Sequence, residues 1–170
     1  HFDSRLMDSN ITTERQVLEE LLNHLPALFE NLTYVAVFEE WEEGMRPYDY
    51  KILQENAQIR MSSHLAARVS SSLTAFLFGV RQEGVLETGE TQVPLSKDSM
   101  LLSKTQPNLL NETTGICAPL GGKGGARRHV QFERQRGFGL LSEEDVTLVD
   151  SMASRVSERI QNLELVRQNQ

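Results

Sequence analysis

Apolar residues recur at intervals of three and four in two stretches of this chain, one near each end. In the first, Val17, Leu18, Leu21, Leu22 and Leu25 share one face of a helix. Thr13 with Gln16 marks its start, because this pairing allows a reciprocal capping box. Pro26 has no amide hydrogen and should kink or restart the helix, leaving residues 27–31 as a last turn. In the second stretch Val146, Val149, Met152, Ala153, Val156, Ile160, Leu163 and Val166 form a stripe about six turns long. Ser142 caps this helix, and Glu143, Glu144 and Asp145 suit the positive end of its dipole. Its last part carries Ile160, Leu163 and Val166 among Arg159, Gln161, Asn162, Glu164, Arg167, Gln168 and Asn169, with no folding unit after it. A lone helix of that kind is unstable in water, so the expectation is a parallel homodimer. Leu18, Leu21, Leu25, Met152, Val156, Ile160 and Leu163 would line its seam. Burial in the chain's own core is the alternative for the first half of the stripe.

Between the two helices the period changes. Residues 33–38, Thr-Tyr-Val-Ala-Val-Phe, are apolar, β-branched and aromatic, as in a strand covered on both faces. An acidic segment over residues 39–43 reads as a solvated connection, and residues 50–54 as a returning strand. Leu65, Val69 and Leu73 predict a helix capped at Ser62 or Ser63. Residues 74–80 predict a buried strand, and Gly84 and Gly89 punctuate two short ones at 85–88 and 91–95. A short helix over 98–103 and an extended piece over 106–110 lead to a hairpin of residues 115–120 and 126–134, joined by Gly121-Gly-Lys-Gly-Gly125. About six strands that do not alternate regularly with helices predict an α+β fold, with a mostly antiparallel sheet flanked by N- and C-terminal helices. Residues 1–12 read as a disordered lead-in, 13–160 as one domain, and 161–170 as an exit helix towards an output region.

Composition narrows the function. The chain has 170 residues, 24% of them charged, and a net charge of −7. Such a balance opposes general nucleic-acid binding, which needs positive surface to neutralise phosphates. No run approaches the ~20 apolar residues of a membrane span, and no secretory leader pattern opens the chain. A start at His1 rather than methionine suggests an excised fragment. Cys117 is the single cysteine, which excludes an internal disulfide and fits a reducing, cytoplasmic setting. The sequons at Asn10, Asn31 and Asn111 are then incidental. His1, His24, His64 and His129 are too scattered to suggest a metal site, and no cofactor is expected.

The segment from Val93 onward resembles the second half of a GAF domain, a small-molecule-sensing module of signalling proteins. The resemblance rests on Val93-Pro-Leu95, residues 99–104, Gln106-Pro107, Ala118-Pro-Leu120, residues 126–132, and the helix start at Phe138-Gly-Leu-Leu-Ser-Glu-Glu-Asp145. Either residues 33–38 or residues 74–80 can serve as the family's opening strand. The second register is preferred, because 85–95 then follows in the family's order, and it makes residues 13–60 partly an N-terminal extension. The resemblance implies a sensory or regulatory domain of a larger cytoplasmic signalling protein, with a ligand between the sheet and residues 95–114. Bilin-binding relatives usually have histidine after the linking cysteine, whereas Ala118 follows Cys117 here. The motif of the cyclic-nucleotide-binding branch is also missing.

The glycine loop lacks the Gly-Lys-Ser/Thr step that opens a phosphate-binding helix, so it reads as a flexible hairpin tip. No catalytic motif is present, and the chain is expected not to be an enzyme. Strand alternation puts Arg128, Val130, Phe132 and Arg134 on one face, and Arg127, His129, Gln131 and Glu133 on the other. Arg128 is the arginine expected to look into a pocket beside Phe132, with Phe76, Phe78, Met100, Asn108 and Cys117 as its other ligand-facing residues. Arg127, Arg134 and Arg136 are expected to recognise an acidic partner. The competing reading is a structural interaction module whose pocket is filled by Phe76, Phe78, Met100 and Leu101.

Overall fold

Seven strands join into one sheet: β1 (Leu32–Trp41), β2 (Gly44–Ile52), β3 (Phe76–Val80), β4 (Val85–Thr88), β5 (Thr91–Pro94), β6 (Thr113–Leu120) and β7 (Arg128–Gln135). The computed structural model describes residues 2–41, 44–55, 57–60, 65, 67–68, 71, 74–80, 85–88, 91–94, 112–121 and 127–169. The strand order is β2-β1-β7-β6-β3-β4-β5, with every neighbouring pair antiparallel. Helices α1 (Phe2–Leu6), α2 (Glu14–Leu28) and α3 (Glu143–Gln168) accompany the sheet. The fold is α+β, as the change of hydrophobic period predicts. The described residues Leu65, Ala67, Arg68 and Ser71 are helical, also as predicted.

Both long helices begin as the sequence indicates. Gln16 N–H donates to Thr13 Oγ1 at 3.2 Å while Thr13 N–H donates to Gln16 Oε1 at 3.0 Å. Asp145 N–H donates to Ser142 Oγ at 3.2 Å, and Ser142 N–H to Asp145 Oδ2 at 2.8 Å. Each box satisfies amides that the first helical turn leaves unpaired. Helix α2 runs through Pro26 and ends at Leu28, and Asn31, at φ 62°, turns the chain into β1. Asparagine is among the few side chains that tolerate this left-handed conformation.

Leu18, Leu21, Leu25, Met152, Val156 and Ile160, expected at a dimer seam, lie instead in the protomer's own core. They pack with Val35, Val37, Ile116, Ala118, Val130 and Phe132 on one face of the sheet, and Leu163 packs partly against the same cluster. Burying one such aliphatic side chain is worth about 2 kcal/mol. The cover for the second half of the α3 stripe comes from the segment expected to be a disordered lead-in. That segment forms α1, with Phe2, Leu6 and Ile11 buried. Arg159 Nη2 donates to the Ile11 carbonyl at 3.1 Å, and Arg155 Nε lies 3.3 Å from Asp3 Oδ1.

Two further expectations are corrected. Strand β1 lies inside the sheet between β2 and β7, so residues 13–60 are integral to the domain rather than an extension. Of the acidic segment, residues 39–41 belong to β1 rather than to a connection, with Glu40 and Trp41 exposed, and β2 starts at Gly44. Arg46 makes this hairpin end tolerable: it pairs with Glu39 at 2.9 Å and lies 5.0 Å from the Trp41 ring centre.

Helix α3 is tied to the sheet at two points. Asp150 Oδ1 accepts from Ala75 N–H at 2.8 Å, just before β3. Ser157 Oγ accepts from Gly121 N–H at 2.7 Å, just after β6, and donates back to the Ala153 carbonyl at 2.8 Å.

Candidate functional site

The strand register separates two chemically different faces. The face under α2 and α3 is apolar through β1, β6 and β7. The opposite face carries Tyr34, Ala36 and Phe38 of β1, Phe76 and Phe78 of β3, Gly115 and Cys117 of β6, and His129, Gln131 and Glu133 of β7. Gly115 is a close-approach position. A Cβ there would stand 2.7 Å from the Phe132 carbonyl oxygen and would run into the Phe78 ring.

At the centre of this face Glu133 is fully buried. Its Oε1 accepts from Thr113 Oγ1 at 2.9 Å and pairs with Arg60 Nε at 2.8 Å, and its other oxygen accepts from Tyr34 Oη. Three donors on a buried carboxylate, one of them a guanidinium, offset the cost of taking the charge out of water. Gln131 Nε2 donates to Tyr34 Oη at 2.7 Å and to the Arg60 carbonyl at 3.0 Å. Both Gln131 amide hydrogens are thereby used. His129 Nδ1 is buried and has no partner among the described residues. A directed chain results, from Gln131 through Tyr34 to Glu133. Arg60 Nη1 is the other buried polar atom of this face without a partner among the described residues.

Burial sets the protonation states. It pushes His129 down to about 4, and the Gln131 side chain opposes that shift only in part. Burial and then the charge of Glu133 hold the Tyr34 phenol well above its ordinary value, and burial alone raises the Cys117 thiol. The His129 ring stacks on Phe38 at 5.0 Å between centres, and Met45 and Ile59 pack beside Phe38 as an aliphatic wall. Arg68 lies 4.6 Å from the centre of the Phe76 ring.

Phe76, Phe78 and Cys117 stand on the face that carries the polar chain. Arg128 and Phe132 do not. Phe132 belongs to the helix-side core and stacks on Phe29 at 5.0 Å. Arg128 pairs with Glu14 and, at 3.0 Å, with Glu39, and lies 4.2 Å from the Tyr48 ring centre. The alternation itself was read correctly, but α2 and α3 cover the face that received the pocket. Met100, Asn108 and Leu101 lie outside the described residues. Sequence reasoning missed Tyr34, Arg60, Thr113, His129, Gln131 and Glu133. The available signal was three polar residues alternating with Val130 and Phe132 in a strand between two apolar neighbours.

The basic hairpin divides likewise. Arg134 donates to the Glu30 carbonyl at 3.0 Å and to the Gly139 carbonyl at 3.4 Å, and Arg136 lies 3.7 Å from Glu112. Both have internal roles that the expected acidic partner would have to replace, whereas Arg127 is exposed. Among the described residues no group of three or more His, Cys, Asp or Glu is placed to hold a metal ion. Among the same residues no helix is long and apolar enough to cross a membrane.

No family model and no curated protein matches the chain. Solved structures do. A GAF domain/HD domain protein from Geobacter sulfurreducens superposes with a TM-score of 0.62 at 13% identity, over 92% of this chain and 97% of that one. The phycocyanobilin-bound GAF domain of a cyanobacterial phytochrome gives 0.66 at 10% identity, over 96% and 94%. The GAF domain of a two-component sensor histidine kinase from Bacillus halodurans gives 0.53 at 10%, over 91% and 98%. With two helices on one face of an antiparallel sheet and a buried polar layer on the other, matched nearly end to end by these structures, this chain has the GAF fold.

Proposed function

We propose that the chain is a sensory domain of a signalling protein, without catalysis of its own, that holds a small molecule against the sheet face opposite α2 and α3. The observation that carries this reading is the pair of buried polar atoms on that face without a partner among the described residues, His129 Nδ1 and Arg60 Nη1. A buried polar atom without a partner costs about 1–3 kcal/mol, a cost that a bound molecule removes. The opposite face is apolar and already covered by the helices. Structures of the same fold support the signalling context, one being the GAF domain of a two-component sensor histidine kinase and another carrying phycocyanobilin. Self-association is proposed to use the C-terminal end of α3, where Leu165 and Val166 are exposed, rather than the buried part of the stripe.

Native mass spectrometry of protein purified without added ligand tests the reading. A retained small molecule that dissociates on denaturation is expected. A bare polypeptide mass, together with no thermal shift in a small-molecule extract of cells, would contradict it.

A further inference from the structure

We propose that the outer edge of β2 pairs antiparallel with β2 of a second copy of this chain, about a twofold axis at Tyr50, and that Asp49 holds this edge closed in the single copy. Strand β2 ends the strand order, so one side of it has no neighbouring strand. Leu53 N–H donates to the Thr33 carbonyl at 2.9 Å, which sets the phase of the β1–β2 ladder. Asp49 and Lys51 then direct their backbone groups at β1, and Tyr50 and Ile52 direct theirs away from it. The side chains of these two outward residues are 52% and 46% exposed. Outward amides and carbonyls beside exposed apolar side chains form a template for a further strand. The template is short, because Pro47 has no amide hydrogen and Tyr48 has no partner in the register with β1.

Charge complementarity names the occupant. Antiparallel pairing centred on Tyr50 sets residue 49 of each copy opposite residue 51 of the other, so Asp49 faces Lys51 twice across the seam. Tyr50 meets the Tyr50 of the second copy, a cross-strand aromatic pair. The next register that the outward groups allow pairs Tyr50 with Ile52 and sets Lys51 against Lys51, which like-charge repulsion disfavours. In the single copy these groups are engaged within the chain. Tyr50 N–H donates to Asp49 Oδ1 at 2.9 Å, Asp49 Oδ2 lies 3.8 Å from Arg15 Nη1, and Lys51 Nζ donates to Asn23 Oδ1. Pairing exchanges the Asp49 cap for the Tyr50 carbonyl of the second copy, so the number of hydrogen bonds to Tyr50 N–H stays the same and the net gain is small. The contact is therefore weak, with a Kd of about 1 mM. It uses no residue of α3 and is independent of the self-association proposed for that helix.

The backbone amide resonances of ¹⁵N-labelled protein test the pairing without any substitution. As the concentration rises to about 1 mM, the Tyr50 and Ile52 amides should shift together. Exchange of charges then tests the register. Asp49→Lys alone sets lysine against lysine, Lys51→Asp alone sets aspartate against aspartate, and each variant should lose the shift. Unlabelled Lys51→Asp added to labelled Asp49→Lys restores both opposite-charge pairs, and should bind at least about tenfold more tightly than either variant binds itself. Wild-type Tyr50 and Ile52 amides that do not respond to concentration overturn the pairing. So does a response confined to Leu165 and Val166, which reports contact through α3 alone. A wild-type response at Tyr50 and Ile52 with no recovery in the mixture overturns the register about Tyr50, and with it the choice of a second copy as the occupant.

Discussion

His129 shows how one residue's surroundings fix its chemistry. Its imidazole is buried against Phe38, and the two charges on the same sheet face, Arg60 and Glu133, compensate each other. With a folded value of about 4 against about 6.5 when unfolded, the unfolded chain takes up the proton first as pH falls. The stability contributed by the neutral ring is therefore complete above about pH 6.5 and is lost progressively towards pH 4. The loss should total about 3 kcal/mol. Urea titrations between pH 7 and pH 4 should show this slope, and His129→Phe should flatten it. An identical pH profile in the variant would mean that other groups carry the acid sensitivity.

At the scale of elements, capped amphipathic helices were the most legible. Both capping boxes formed at the positions their residue spacing indicated, because a cap is a local interaction between residues three apart. What covers an apolar stripe is not local, and that is where reading by pattern failed. The first half of the α3 stripe reads equally as a dimer seam or as a core and the second half as a seam, and the packing of α3 on the sheet and on α1 and Ile11 decides between them. Ile160→Asp should accordingly place an unpaired carboxylate in the protomer core and cost more than about 3 kcal/mol. Thermal melts at several protein concentrations check this. A loss independent of concentration is expected, while a dimer seam would make the loss grow on dilution.

For the whole molecule, the α+β class and the antiparallel sheet followed from the spacing of strands and turns. The register of the first half did not, since two apolar runs of strand length compete and only long-range pairing of β1 with β7 settles the order. The buried polar layer was half legible for a related reason. Alternation showed that His129, Gln131 and Glu133 share a face, but not which face the helices would take. The lead-in is part of the same long-range problem. Deleting residues 1–12 should remove the buried side chains of Phe2, Leu6 and Ile11 and cost about 3 kcal/mol or more. Calorimetry should register a drop in Tm of about 10 °C. An unchanged Tm would show that α1 contributes nothing to the core.

The two ties between α3 and the sheet also constrain how the helix can move. Asp150 and Ser157 are seven residues apart, about two turns, and grip backbone amides flanking two different strands. Axial sliding would break both bonds together. A rocking motion about the line joining them would keep both, and would swing the unanchored turns beyond Ile160 through the widest arc. A disturbance of the sheet would then leave through α3 as a change of angle rather than as a stroke.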